Sequence, residues 1–165
     1  MQIIEFKSPL SNILFVIVFW TILQITIPVI CMKAADKHFS PESFLFRTRK
    51  WEKNGKIYET LFKIKKWKNL LPDGGAVIKG GFQKKHIDIL SIEKLDKFIV
   101  ESCRGELAHW LLILPFWTVG FFSPPIVMLV MFVYSVFANV PCIIAQRYNR
   151  PRVTGLINRL NRRDK

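Results

Sequence analysis

Cysteine is scarce in this chain. Cys31, Cys103 and Cys142 make an odd number, and no two are spaced as CxxC. A disulfide framework or a cysteine zinc knuckle is therefore excluded, and free thiols fit a reducing side or the membrane itself. Cys103 lies near the polar residues discussed below, but nothing flanking it would activate a thiol, so it reads as a small packing residue. Acidic residues are also few: 12 Asp plus Glu stand against 25 Lys plus Arg, a formal charge of +13. Such a balance points to anionic partners, yet the chain has no zinc-finger, RNP-type or helix-turn-helix signature, and nucleic acid is set aside. There is no internal repeat and no low-complexity segment. Glu106-x-x-His109 has two potential metal ligands on one helical face. No second Glu-x-x-His and no His-x-x-x-His completes a shell, so no metal is expected.

What is abundant is hydrophobicity, at 50% of residues, and it comes in blocks. Blocks of apolar residues beside basic stretches mark a membrane protein with cytoplasmic basic parts. Residues 10–32 form the first block. About 20 apolar residues cross the hydrocarbon core, so this segment spans. A cleaved signal peptide would have a shorter apolar core and a clean small-residue site, whereas Lys33 precedes Ala34 and Ala35. An uncleaved signal anchor is the expectation. Residues 107–122 and 126–145 form two further apolar segments joined by Ser123-Pro124-Pro125, a transmembrane hairpin that Pro115 should kink.

Residues 33–104 are polar and basic, a cytoplasmic or interfacial region. Ser40-Pro41-Glu42 predicts a helix start, and Asn54-Gly55 its stop. Residues 56–71 predict one amphipathic basic helix, with Ile57, Leu61, Ile64 and Leu71 at helical spacing. Its lysines and Trp67 suit the headgroup layer of an anionic membrane. Leu71-Pro72-Asp73-Gly74-Gly75 breaks it, and a loop follows to Leu90. Ser91 then caps a helix expected to run unbroken into the hairpin. The tail, 146–165, carries seven Lys plus Arg and one Asp, and predicts another amphipathic helix. The fold class is mainly α: a signal anchor, a basic region with amphipathic helices, and a C-terminal hairpin. By the positive-inside rule both basic regions face the cytoplasm and the N-terminus lies outside.

A hairpin returns its ends to one membrane face. Glu101, Arg104, Glu106 and His109 at one end should therefore meet Asn139, Gln146, Arg147, Asn149, Arg150 and Arg152 at the other. Ionisable residues at membrane depth are expensive and point to function by default. His109 and Glu106 lie about 60° apart on a helix, a spacing that fits a general base and its carboxylate partner, with Glu101 on the other flank. The competing reading is a salt-bridged collar in which Arg104 pairs with Glu101. Asn139 either orients the dyad or donates to an oxyanion. Arg147, Arg150 and Arg152 match phosphates, or lipid headgroups at a stop-transfer boundary.

The stretches RKWEKNGKIYETLFKIKKWKNLLPDGG, ESCRGELAHW and ANVPCIIAQRYNRPR resemble the glycosyl-4,4'-diaponeurosporenoate acyltransferases of C30 carotenoid biosynthesis. The resemblance implies a bacterial cell-membrane enzyme that esterifies a sugar hydroxyl of a glycosylated carotenoid acid with a fatty acyl group, the last step towards staphyloxanthin-like pigments. It implies a glycosylated carotenoid acceptor, membrane lipid around the chain and no cofactor beyond an acyl-CoA or acyl carrier protein donor. Arg104, Arg147, Asn149, Arg150 and Arg152, with Lys66, Trp67 and Lys68, are then the expected substrate-binding set. His109, Glu106, Asn139 and Glu101 are the expected catalytic set. The chain has no His-x-x-x-x-Asp acyltransferase motif and no Gly-x-Ser-x-Gly elbow. Direct transfer without an acyl-enzyme is therefore expected. The rival readings are a non-enzymatic membrane adaptor for pigment enzymes and an acyltransferase for another glycolipid.

Overall fold

The computed structural model describes residue 6 and residues 8–71 and 92–163. The expected loop up to Leu90 and the Ser91 cap lie outside these residues. The described residues are mainly helical and contain no strand. Among the described residues four α-helices follow in order: α1 (Pro9–Lys33), α2 (Lys56–Phe62), α3 (Ile92–Ile113) and α4 (Pro125–Arg163).

Two of these, α1 and α4, are long and apolar enough to cross a membrane. A capping box starts α1: Ser8 accepts from the backbone of Ser11, whose side chain accepts in return from Ser8. Its apolar residues point in every direction, as suits a helix surrounded by lipid. Two polar contacts fix it against the rest. Near its start, buried Asn12 donates to the Phe122 carbonyl at 2.7 Å and to Ser123 Oγ at 3.0 Å. At its end, Arg104 meets the last carbonyls. These contacts make α1 antiparallel to α3 and parallel to α4. Val16 and Trp20 pack on Val119 and Phe122 between them.

The helix α3 runs unbroken through Glu101–His109 as expected. At Pro115 the chain does not bend and resume an α-helix. It tightens into a 3-10 helix, Leu114–Phe121. Proline has no N–H to close an α-helical bond, and its ring crowds the preceding turn. At Gly120 a Cβ would lie 3.0 Å from the Met128 sulfur, the flexible end of a side chain on the returning helix.

The expected division between a span ending at 145 and a separate tail helix is not seen. One helix, α4, covers Pro125–Arg163, with Pro141 and Pro151 inside it. Its 39 residues rise about 58 Å, nearly twice the hydrocarbon thickness, so its basic half continues beyond the apolar belt.

The region between α1 and α3 departs most from expectation. In place of the expected helix from Ser40 to Asn54, residues 41–47 form successive turns and a 3-10 helix covers Lys50–Gly55. The expected stop at Asn54-Gly55 is present, with φ of 53° and 84°. Gly55 also touches α4: a Cβ would lie 3.1 Å from the Tyr148 carbonyl. The expected helix over 56–71 stops at Phe62. Lys63 takes φ 48°, and two short 3-10 turns follow. The break turns Ile64 fully inward onto Tyr58, Ile144, Ala145 and Tyr148. Burying such a side chain is worth about 1.5–3 kcal/mol, more than one left-handed residue costs. The Trp67 indole N–H then donates to the Phe62 carbonyl that the break leaves open, at 2.7 Å.

Candidate functional site

The hairpin of α3 and α4 brings two groups of polar side chains together, one above the other. The upper group is His109 and Asn139, which also meets the backbone carbonyl of Ser135. His109 Nδ1 lies 2.9 Å from Asn139 Oδ1. The Asn139 amide nitrogen donates to the Ser135 carbonyl at 2.9 Å, one turn back on α4. That second bond settles the first. With its nitrogen committed to a carbonyl, the amide presents oxygen to the ring, and oxygen only accepts. In the neutral ring Nδ1 then carries the hydrogen, and the lone pair is on Nε2. Asn139 is almost fully buried and His109 half-buried, at the depth where apolar residues take over from polar ones.

The lower group is a buried ion cluster. Glu106 is fully buried and accepts from Arg147 Nε at 2.7 Å and Arg150 at 2.6 Å. The Trp110 indole N–H reaches the same carboxylate at 3.4 Å. Arg147 spends its other nitrogens on buried Glu52 and on the Leu45 carbonyl. Arg150 donates to the carbonyls of Phe46 and Ser102. Two carboxylates and two guanidinium groups thus balance in charge. The cluster ties the turns at 45–52 beneath the hairpin. Burial raises the cost of leaving any member unpaired.

A third group stands on the other side of α3. Arg104 donates to the carbonyls of Cys31, Met32 and Ala34 at 2.8, 3.0 and 2.7 Å, satisfying the open end of α1. It also pairs with Asp36 and lies 3.3 Å from Glu101. Lys97 links Asp36 and Glu101. The Lys97 ammonium beside Asp36 holds that carboxyl below the usual range, with Arg104 adding to it, and Asp36 in turn raises Lys97.

The expected site residues are therefore distributed. His109 meets Asn139, while Glu106 serves Arg147 and Arg150. Glu101 and Arg104 belong to the seam with α1, as in the collar reading. Arg147 and Arg150, expected at donor phosphates, instead turn inward onto protein partners. Arg152 pairs with Glu59, which also accepts from Tyr148 at 2.8 Å. Lys68 reaches Asn149 at 3.5 Å and Lys66 is exposed. Trp67 is half-buried and bonded within its own segment. Cys103 is a core residue with Phe39 and Phe46. Among the described residues no group of three or more His, Cys, Asp or Glu is placed to hold a metal.

Sequence reasoning missed Glu52 and Tyr148. Glu52 sits between Trp51 and Lys53 and reads as solvated surface.

This arrangement defines a helical membrane protein with an oriented imidazole where its apolar belt begins. The family model for glycosyl-4,4'-diaponeurosporenoate acyltransferase matches residues 41–159. Curated proteins of that name from Staphylococcus aureus strains MRSA252, bovine RF122 / ET3-1 and USA300 are each 35% identical over 159 residues. The match covers 95% of this chain and 94% of each relative. No solved structure matches. The chain belongs to the glycosyl-4,4'-diaponeurosporenoate acyltransferase family. It is an acyltransferase of carotenoid pigment synthesis, which removes the adaptor reading.

Proposed function

We propose that the chain esterifies a sugar hydroxyl of a glycosylated C30 carotenoid acid with a fatty acyl group, giving a staphyloxanthin-like pigment. The observation that carries the chemistry is the His109–Asn139 pair, with the Asn139 amide held by the Ser135 carbonyl, an arrangement that favours the neutral tautomer with its lone pair on Nε2. In the proposed reaction His109 Nε2 takes the proton from the sugar hydroxyl. The hydroxyl oxygen attacks the acyl carbonyl of a thioester, acyl-CoA or acyl carrier protein. The carbon–sulfur bond breaks, and the imidazolium returns its proton to the leaving thiolate. Asn139 acts here as the residue that holds the ring and its tautomer. Glu106 acts one step back, locking α3 to α4 so that the imidazole keeps its place.

With Arg147 and Arg150 occupied, the donor's anionic part falls to the exposed cations. Lys56, Lys63, Lys65 and Lys66 are exposed on the interfacial region, and Arg152 is partly so. Phe44, Trp51 and Leu70 are 75%, 58% and 83% exposed on the same region. Large apolar side chains beside lysines suit a headgroup layer, and such a layer gives a water-borne donor access to a lipid-borne acceptor.

The orientation that follows puts the basic half of α4 in the cytoplasm of a bacterial cell and the α3–α4 turn outside, with α1 retained. A cysteine introduced at Arg162 is expected to react with an impermeant maleimide only after the cells are opened. Labelling in intact cells would reverse the orientation.

The function itself is tested by purified protein, an acyl thioester and a panel of acceptors. The glycosylated carotenoid should yield ester. Ester on an unrelated glycolipid in place of the carotenoid would move the reading to another acceptor.

A further inference from the structure

The seam between α1 and α4 holds a groove that the proton chemistry leaves unused. Ile13, Val16 and Ile17 on α1 face Val127, Val130 and Met131 on α4 around a cavity of about 300 Å³, and its wall is apolar throughout. Both helices are of membrane length, so hydrocarbon rather than water is the natural occupant.

Position along α4 says which hydrocarbon. Val130 lies nine residues from Asn139, a rise of about 13 Å, and Ile126, also in the wall, lies about 20 Å away. The hydrocarbon core is about 30 Å thick, so one leaflet, the depth that a fatty acyl chain fills, is about 15 Å. A fatty acyl chain whose carbonyl sits beside His109 therefore ends level with the groove, and since Val130 lies about 180° around α4 from Asn139 it reaches the groove by crossing the face of α4 that carries Tyr134. The lining is branched aliphatic residues and a methionine, without an aromatic ring. Such a wall adapts to a flexible saturated chain, methionine above all. At the end of the groove nearer His109, Trp20 and Tyr134 meet edge to face with ring centroids 6.4 Å apart. Tyr134 is half exposed, so a chain passes along it before it enters.

We propose that this groove is the acyl-chain subsite: it holds the methyl-terminal part of the donor's fatty acyl group and sets the preferred chain length. The proposal rests on the acyl-transfer reading above.

The test uses the full chain in lipid nanodiscs, the glycosylated carotenoid, and acyl-CoA and acyl carrier protein donors from octanoyl to stearoyl. Val130→Trp and Ile17→Trp narrow the groove at positions outside the proton chemistry. A single methylene in an apolar pocket is worth about 10–200-fold. Palmitoyl transfer should accordingly fall about tenfold or more in at least one variant, while octanoyl transfer stays near wild type. An unchanged chain-length profile in both variants would mean that bilayer lipid fills the groove, and would overturn the proposal. So would a rise in KM for the acceptor with no change in donor preference. Wild-type protein inert with every donor would remove the function itself, and the subsite with it. A palmitoyl donor with a terminal diazirine, used on the wild type, gives a readout free of folding effects. Crosslinks are expected within residues 13–17 or 126–131, and crosslinks confined elsewhere would overturn the proposal.

Discussion

His109→Ala is expected to lose about 10²–10⁴-fold in turnover, the range that general-base catalysis supplies. Membrane insertion and protein level should stay near wild type, because the ring is half-buried and the ion cluster one turn below remains whole. Asn139→Ala should lose less. The imidazole would still be present, but nothing from Asn139 would hold Nδ1–H towards α4, so only part of the population would offer Nε2 to the substrate. Asn139→Asp should retain more activity than Asn139→Ala, since a carboxylate accepts the same hydrogen and stabilises the imidazolium. A well-expressed His109→Ala protein with near-normal turnover would move the base elsewhere. Glu101 and Glu106 would then be the next groups to test.

Glu106→Gln should act on stability first. Among the described residues Glu106 is the carboxylate that Arg147 and Arg150 share, and its replacement leaves buried Arg150 with carbonyl partners but no countercharge among them. Removing one partner of a buried pair costs about 3–5 kcal/mol. For a chain of this size about 1 kcal/mol moves Tm by about 2–4 °C, so a fall of about 6–20 °C is expected in detergent. Adding Arg150→Met to Glu106→Gln should recover part of the loss, because the uncompensated charge is removed and the two positions couple directly. A Glu106→Gln protein of unchanged Tm but lost turnover would instead place this carboxylate in the chemistry, as a partner of His109.

The hairpin and its polar ends were legible in the sequence for a simple reason. Apolar length and charge position are one-dimensional signals, and a short turn such as Ser123-Pro124-Pro125 forces two ends together. The pairing inside the site was less legible. Helical angles place His109 and Glu106 as neighbours on α3, but they do not say which residues of α4 come opposite. That register puts Asn139 level with His109, and Arg147 and Arg150 level with Glu106. Arg147, which reads as a phosphate ligand, is drawn inward by Glu106 and by buried Glu52 from a separate segment, and Arg150 by Glu106 and the Phe46 and Ser102 carbonyls. The interfacial region was least legible. Ile64 fits a continuous amphipathic helix by spacing, yet the core formed with Tyr58 and Tyr148 favours breaking that helix at Lys63. Local periodicity gives no warning when tertiary burial outweighs it.

The most direct measurement of the central claim is the pH dependence of kcat for ester formation, taken on wild type and on the His109→Ala protein. A base that acts through Nε2 is silenced when the ring is protonated, so wild-type kcat should fall as the medium is acidified. The residual activity of His109→Ala should lack that limb. The same acidic limb in both proteins, at the same position, would contradict the assignment of His109 as the base.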